Sequence, residues 1–268
     1  MNIWIISQYS STPETGMGGR YYYFAKELAK QGHKVHLIAG SYSHLLRKAP
    51  ILDKDYMVEH VSEDFNFVWI KTSKYSNAGD KNRALNWFKF AWKLLKLSKV
   101  IKDKPDAILY GSPSLIPFLS AQRLTKKFNA KLIFDVCDIW PLTLIELGGY
   151  LPKNPFIRFM QWIEDKAYKD SDIVISNLPN AVEHMVARGM VWEKFLWIPN
   201  GFYLSELENL EPLSISIKSV LPKDKFIIGY TGTLGLANAL GTFIEAARLL
   251  KDHGEIAFIL VGNGKDKS

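Results

Sequence analysis

Apolar residues recur along this chain with two periods. Short unbroken runs read as strands buried on both faces, and between them lie longer stretches with apolar residues every three or four positions, which read as helices packed by one side. Residues 2–40 show the scheme: an apolar strand, a loop bearing Gly16, Gly18 and Gly19, a helix with Tyr21, Phe24, Ala25 and Leu28 on one side, and a second apolar strand. Residues 226–264 repeat the same order more than two hundred positions later. Alternating strands and amphipathic helices predict an α/β fold with parallel sheets, and each of these units sets a glycine loop at the carboxyl end of its first strand, where such sheets bind ligands. Two such starts predict two Rossmann-like domains facing a cleft.

Between the two units, strands are expected at residues 65–71, 106–110, 131–136, 172–176 and 195–198. Helices are expected at 83–103, 115–128, 155–168 and 181–188. Residues 41–63 are polar and read as loop, and Pro141 is expected to block a helix directly after the strand at 131–136. Residues 202–224 have weak periodicity and read as a linker, which gives a first domain at 1–201 and a second at 225–268. A single β-α-β unit falls short of the usual domain size, so the second domain is expected to be incomplete.

At 268 residues and 47% hydrophobic content, the chain is globular and large enough for more than one domain. Its one cysteine, Cys137, excludes a disulfide framework, and the six histidines show no metal-ligand spacing, so no metal is expected. The opening residues read as a strand with no basic leader, and no apolar run is long enough to span a bilayer. The charge of +7 is local: residues 81–104 hold eight basic side chains against Asp103 and account for the whole excess. The helix at 83–103 carries Trp87, Phe88 and Trp92 among Lys89, Lys93 and Lys96. That mixture suits an interfacial helix on anionic lipid, and equally a wide core face with snorkelling lysines. Nucleic acid is disfavoured, because the basic residues form one helical cluster outside any known binding motif.

Gly16, Gly18 and Gly19 precede a helix N-terminus whose free amides attract phosphate, although a simple turn would use glycines there equally. The dinucleotide fingerprint fails, since Tyr21 takes its third glycine position and the second strand ends in Ala39-Gly40-Ser41 without an acidic residue. Asp138 follows a buried strand at the edge where catalytic groups collect, although a carboxylate capping local amides would stand there too. Cys137 reads as a packed small side chain. Asn200-Gly201 is a turn, and Gly229, Gly232 and Gly235 would admit a diphosphate near the following helix.

Eight short motifs occur in one order: Gly18-Gly19, Gly32-His33-Lys34-Val35, Pro105-Asp106-Ala107-Ile108, Asp138-Ile139-Trp140-Pro141, Ser171-Asp172-Ile173-Val174, Ile198-Pro199-Asn200-Gly201, Gly232-Thr233-Leu234-Gly235 and Val261-Gly262-Asn263-Gly264. In that order the chain resembles the family 4 glycosyltransferases, retaining GT-B enzymes of bacterial surface-polysaccharide synthesis (O-antigen, capsule or colanic-acid-like). The resemblance implies a hexosyltransferase that takes a nucleotide sugar, UDP-linked, and needs no metal or other cofactor. It implies a glycan or lipid-linked acceptor on the first domain and a cytoplasmic enzyme peripheral to the inner membrane face. It makes Asp138 the polar group at the reacting centre, and Gly18, Gly19, Asn200, Gly201, Gly232, Thr233, Gly235 and Gly262 the donor and diphosphate contacts. Without the family's later glutamate-bearing helix, this length of chain is expected to be inactive alone. A sugar-nucleotide 2-epimerase of the same architecture and a non-catalytic membrane-docking fragment are the alternative readings.

Overall fold

A computed structural model describes residues 1–75, 81–208 and 210–264. The chain forms two compact units, Met1–Phe202 and Tyr203–Ser268.

The first unit contains β1 (Asn2–Ile6), α1 (Arg20–Lys30), β2 (Lys34–Gly40), β3 (Tyr56–Ser62), β4 (Phe65–Ile70), α2 (Lys81–Leu94) and β5 (Ala107–Gly111). It continues with α3 (Phe118–Phe128), β6 (Lys131–Val136), α4 (Leu142–Glu146), α5 (Pro155–Asp170), β7 (Ile173–Ser176), α6 (Ala181–Ala187) and β8 (Phe195–Trp197). The strands make one sheet in the order β3-β4-β2-β1-β5-β6-β7-β8, parallel throughout except for the β3–β4 pair. The predicted α/β architecture is therefore the one the chain forms. Chain order reverses on either side of β1, which places the crevice of the sheet at the carboxyl ends of β1 and β5.

Alternate strand residues feed two apolar layers. Trp4, Ile6, Ile108, Tyr110, Phe134 and Val174 pack with Phe90 of α2, Phe118 of α3 and Met160 of α5. Ile5, Leu37, Phe67, Trp69 and Leu109 pack with Tyr21, Tyr22 and Ala25 of α1. Each large side chain buried in this way contributes about 1.5–3 kcal/mol. Sequence chemistry sets the helix ends locally. Asn154 caps α5 through Oδ1, which accepts from the Phe156 N–H at 2.9 Å, with Pro155 at the first helical position. Asn129 ends α3 in the left-handed conformation.

Three elements differ from the expected ones. Residues 56–62 form β3 instead of loop; the strand covers one edge, so only alternate residues are sheltered and no apolar run marks it. Helix α2 stops at Leu94, and a 3₁₀ turn at Leu97–Lys99 carries Leu97 into the core, followed by Ile101. Pro141, expected to block a helix, instead caps the short α4 that starts at Leu142, since a missing N–H is tolerated at a helix start.

The second unit begins with a 3₁₀ turn at Leu204–Glu206 and α7 (Ile215–Val220), within the segment expected to be a linker. Strands β9 (Phe226–Thr231) and β10 (Ile256–Val261) pair in parallel across α8 (Leu240–Leu249). Phe243 of α8 meets Phe258 edge-on at 5.2 Å.

Candidate functional site

The loops that follow β1, β5, β6 and β8 converge at the carboxyl edge of the first unit. Residues 7–19, after β1, fold back on themselves: the Ser11 hydroxyl accepts from the Met17 N–H at 3.1 Å, and Arg47 donates to the Pro13 carbonyl at 3.0 Å and to that of Gly16. Gly16 is required by packing, because a Cβ there would overlap Ser11. Gly18 and Gly19 have φ of 66° and 83°, in the left-handed region, and a Cβ on Gly19 would point into open space. Gly18 is buried beside Tyr23 and Pro13, so it is at Gly19, immediately before α1, that the loop has open space for an approaching ligand.

Asp138 stands two residues past β6. Ser112, after β5, anchors the turn: its Oγ accepts from the N–H groups of Cys137 at 2.9 Å and Asp138 at 3.3 Å. The Asp138 side chain is exposed at the edge, yet loss of solvent to the surrounding protein raises its carboxyl above the ordinary carboxylate range. No hydrogen bond to that carboxylate is seen among the described residues, so it does not cap the local amides. A carboxyl with a raised pKa at a sheet edge has the features of a proton acceptor. Burial pushes the neighbouring Cys137 thiol up to about 11, which suits a packed side chain and not a nucleophile.

The turn is tied to the glycine loop by two residues that sequence reasoning missed. Arg20 Nε donates to Asp135 Oδ2 at 2.8 Å, while Nη1 donates to the Pro199 carbonyl at 3.0 Å and to Asn200 Oδ1 at 3.2 Å. The Tyr21 hydroxyl lies 3.4 Å from Cys137 Sγ, and its ring fills the space above Gly111, where a Cβ would overlap it. A signal was present: Asp135 is a lone carboxylate inside the apolar run Leu132-Ile133-Phe134-Asp135-Val136 and needs a buried partner. Gly111→Ala is expected to cost about 1–3 kcal/mol by overpacking against Tyr21, to be read from urea melts. Of the predicted donor residues, Gly18, Gly19 and Asn200 therefore gather at one edge with Asp138, and Gly201 follows Asn200 with open space at its Cβ position.

The remaining predicted donor residues belong to the second unit. Gly232 has φ of 154°, and the Thr233 carbonyl accepts from the Tyr230 hydroxyl at 2.9 Å and from Asn238 Nδ2 at 2.7 Å. Gly235 is extended, at a φ of −162° that any residue adopts. A Cβ on Gly262 would overlap the Gly232 carbonyl, so close packing of two backbones explains that glycine without a ligand.

Helix α2 splits the predicted membrane-docking set. Trp87 is 3% exposed: its Nε1 donates to the Tyr9 hydroxyl at 2.7 Å, and its ring packs on Trp140 and Phe156. This corrects the expectation for Trp87, which is a core residue backing the Asp138 loop and cannot enter a membrane. Lys93 bonds Asp55 at 2.6 Å. Phe88 and Trp92 are exposed, with Lys96 over the Trp92 ring at 5.2 Å and Lys89 bonded to the Ser73 hydroxyl at 2.6 Å. Among the described residues, no helix is long and apolar enough to cross a membrane, and no group of His, Cys, Asp and Glu side chains is suited to a metal ion.

Comparison with known proteins places this edge in a family. The model described as Glycosyltransferase Family 4 matches residues 15–206. WcaI of Escherichia coli (strain K12), whose name assigns it to colanic acid biosynthesis as a glycosyl transferase, is 24% identical over 170 residues, 62% of this chain and 42% of its own length. The chain therefore spans less than half the length of that curated relative. Among solved structures, the catalytic domain of starch synthase IV from Arabidopsis thaliana, bound to ADP and acarbose, has a TM-score of 0.66 at 13% identity, covering 98% of this chain and 68% of that one. Alr3699/HepE of Anabaena, in complex with UDP and glucose, has a TM-score of 0.60 at 13% identity, covering 98% and 61%. A Listeria monocytogenes structure named for UDP-N-acetylglucosamine 2-epimerase reaches 0.52 at 12% identity, covering 97% and 61%. At such identities the structural likenesses establish the GT-B fold alone, whereas the family match includes the glycine loop, Asp138 and Asn200. The chain belongs to Glycosyltransferase Family 4.

Proposed function

We propose that the protein transfers a sugar, with retention, from a UDP-linked donor to a glycan or lipid-linked acceptor in the synthesis of a bacterial surface polysaccharide. The observation that carries this reading is the hydrogen-bonded edge at which the Gly18-Gly19 loop, open at Gly19, and the Asp138 turn meet in a family 4 chain. The acceptor rests on the first unit, with its attacking hydroxyl at Asp138. The carboxylate accepts that proton or stabilises positive charge on the donor sugar as the bond to the diphosphate breaks. The glycine loop and the α1 amides face the diphosphate. No metal is required, and the work is done at the cytoplasmic face of the membrane.

The test is product analysis with labelled UDP-sugars, with and without lipid-linked oligosaccharide. Transfer requires both substrates, whereas a 2-epimerase alters the donor alone; in an assay of the full-length protein, label that reaches no acceptor from any nucleotide sugar overturns the reading. Gly19→Val places a β-branched residue at a φ of 83° and is expected to weaken UDP binding at least tenfold in calorimetry. Binding equal to wild type would remove the loop from the donor site.

The exposed edge of α2 is proposed to rest on anionic lipid through Phe88 and Trp92, with Lys89 and Lys96 facing the headgroups. Lys93 is left out because it is held by Asp55. Changing Lys89 and Lys96 together to Glu is expected to lower co-sedimentation with anionic vesicles about tenfold or more, and added salt should weaken wild-type binding. Unchanged co-sedimentation would assign this edge to another partner.

A further inference from the structure

One ion pair at the carboxyl edge of the first unit has no part in the proposed chemistry. The Arg20 side chain is 8% exposed and that of Asp135 0%. Arg20 reaches three chain segments: α1, where it is the first residue after Gly19; β6, through Asp135; and the loop after β8, through Pro199 and Asn200. Its guanidinium also lies 4.5 Å from the centre of the Phe24 ring. Among the described residues, Arg20 Nη2 and Asp135 Oδ1 are nevertheless buried without a hydrogen bond of normal geometry, although the Tyr21 hydroxyl faces Asp135 closely enough to lower its pKa. A buried pair with unsatisfied atoms stabilises a fold no better than apolar residues of equal volume, so stability alone does not account for it. What the pair does supply is a fixed span. The planar fork of an arginine holds several acceptors in one geometry, which a lysine cannot reproduce. Asp135 lies only three residues before Asp138 in the sequence, and Tyr21, beside Arg20, touches Cys137 in the same turn.

We infer that Arg20 is a positioning residue that sets the distance between the glycine loop and the Asp138 turn, so that a nucleoside diphosphate sugar seated on the first is presented to the carboxylate on the second. The inference rests on the proposed glycosyl transfer at this edge. Displacing a reacting group by about 1 Å is enough to slow a reaction about a hundredfold, so loosening this span should act on turnover and not on affinity.

Cys137 is the only cysteine of the chain and adjoins Asp138, so its rate of maleimide labelling reports on the turn without any substrate. The test compares wild type with Arg20→Met combined with Asp135→Asn, which removes both charges, and with Arg20→Lys, which keeps the charge but not the fork, labelling being read on residues 1–268 and transfer on the full-length protein. Circular dichroism and thermal melts verify the fold. The double variant is expected to label Cys137 at least tenfold faster and to lose about a hundredfold in kcat, with the KM for the UDP-sugar within threefold of wild type; Arg20→Lys should fall between. If the double variant does not fold, the same readings on Arg20→Lys decide. Unchanged labelling overturns the inference, and so does a raised KM at constant kcat, which would make Arg20 a donor ligand. If the full-length wild type transfers no sugar at all, the glycosyltransferase reading fails by itself, while the labelling rates still decide whether Arg20 holds the turn.

Discussion

In the full-length protein, Asp138→Asn is expected to lower the turnover of sugar transfer by about 10²- to 10⁴-fold while leaving the fold intact, because general acid-base groups contribute on that order. Asparagine keeps the size and polarity of the side chain and cannot take a proton. The melting temperature should hardly move, since the carboxylate is exposed at the edge, has no hydrogen bond among the described residues, and the Ser112 anchor binds backbone N–H groups that the substitution leaves in place. The pH dependence gives a second check. Desolvation raises the Asp138 pKa, so the base is lost on acidification earlier than an ordinary carboxylate would be. The acid limb of the kcat/KM profile should therefore lie above about pH 4, the usual aspartate value, and should vanish in the residual activity of the variant. Initial rates across pH with saturating acceptor measure both effects. Wild-type turnover by Asp138→Asn would remove the residue from the reaction.

Arg20→Met alone is expected to destabilise the first unit by about 3–5 kcal/mol, because it leaves the Asp135 carboxylate buried without its cation. The loss should depend on pH with a definite sign. Burial already raises the Asp135 pKa, and removing Arg20, whose hydrogen bond and charge lower it, raises it further. The folded state then binds a proton more tightly than the unfolded chain, so stability falls as pH rises from the ordinary aspartate value of about 3.9 through the raised folded value. Urea melts at pH 5 and pH 8 should show the variant closer to wild type at the lower pH. Adding Asp135→Asn should flatten the difference between the two pH values, since the titrating group is gone. A loss that is equal at both pH values would mean that the carboxylate is not the source of the instability.

The order and type of most elements were legible in the sequence because they depend on local spacing. Short apolar runs such as Leu132-Ile133-Phe134, bounded by turn signals, read as strands buried on both faces, and the positions Tyr21, Ala25 and Leu28 repeat at helical spacing, so α/β architecture follows from run length and period together. Gly18-Gly19 and Asp138 were identifiable as edge residues because each lies in a loop that follows a strand of such a fold, the glycines just before α1 and Asp138 two residues past β6. The edge strand β3 escaped notice, since a strand sheltered on one side needs only every second residue to be apolar or partly covered.

Partners far apart in sequence were settled by the tertiary structure. Helical spacing sets Trp87 in line with Phe90 and Leu94 and leaves Phe88 and Trp92 beside that face, but what buries Trp87 is the approach of Tyr9, Trp140 and Phe156 from three other segments. Arg20 and Asp135 are separated by 115 positions and meet only because β1 and β6 both flank β5, with α1 folded over the sheet. Local composition determined which residues could serve at the carboxyl edge. Pairing of the strands decided which of them stand together, because a hydrogen bond or an ion pair requires atoms within about 3 Å and no sequence spacing guarantees that.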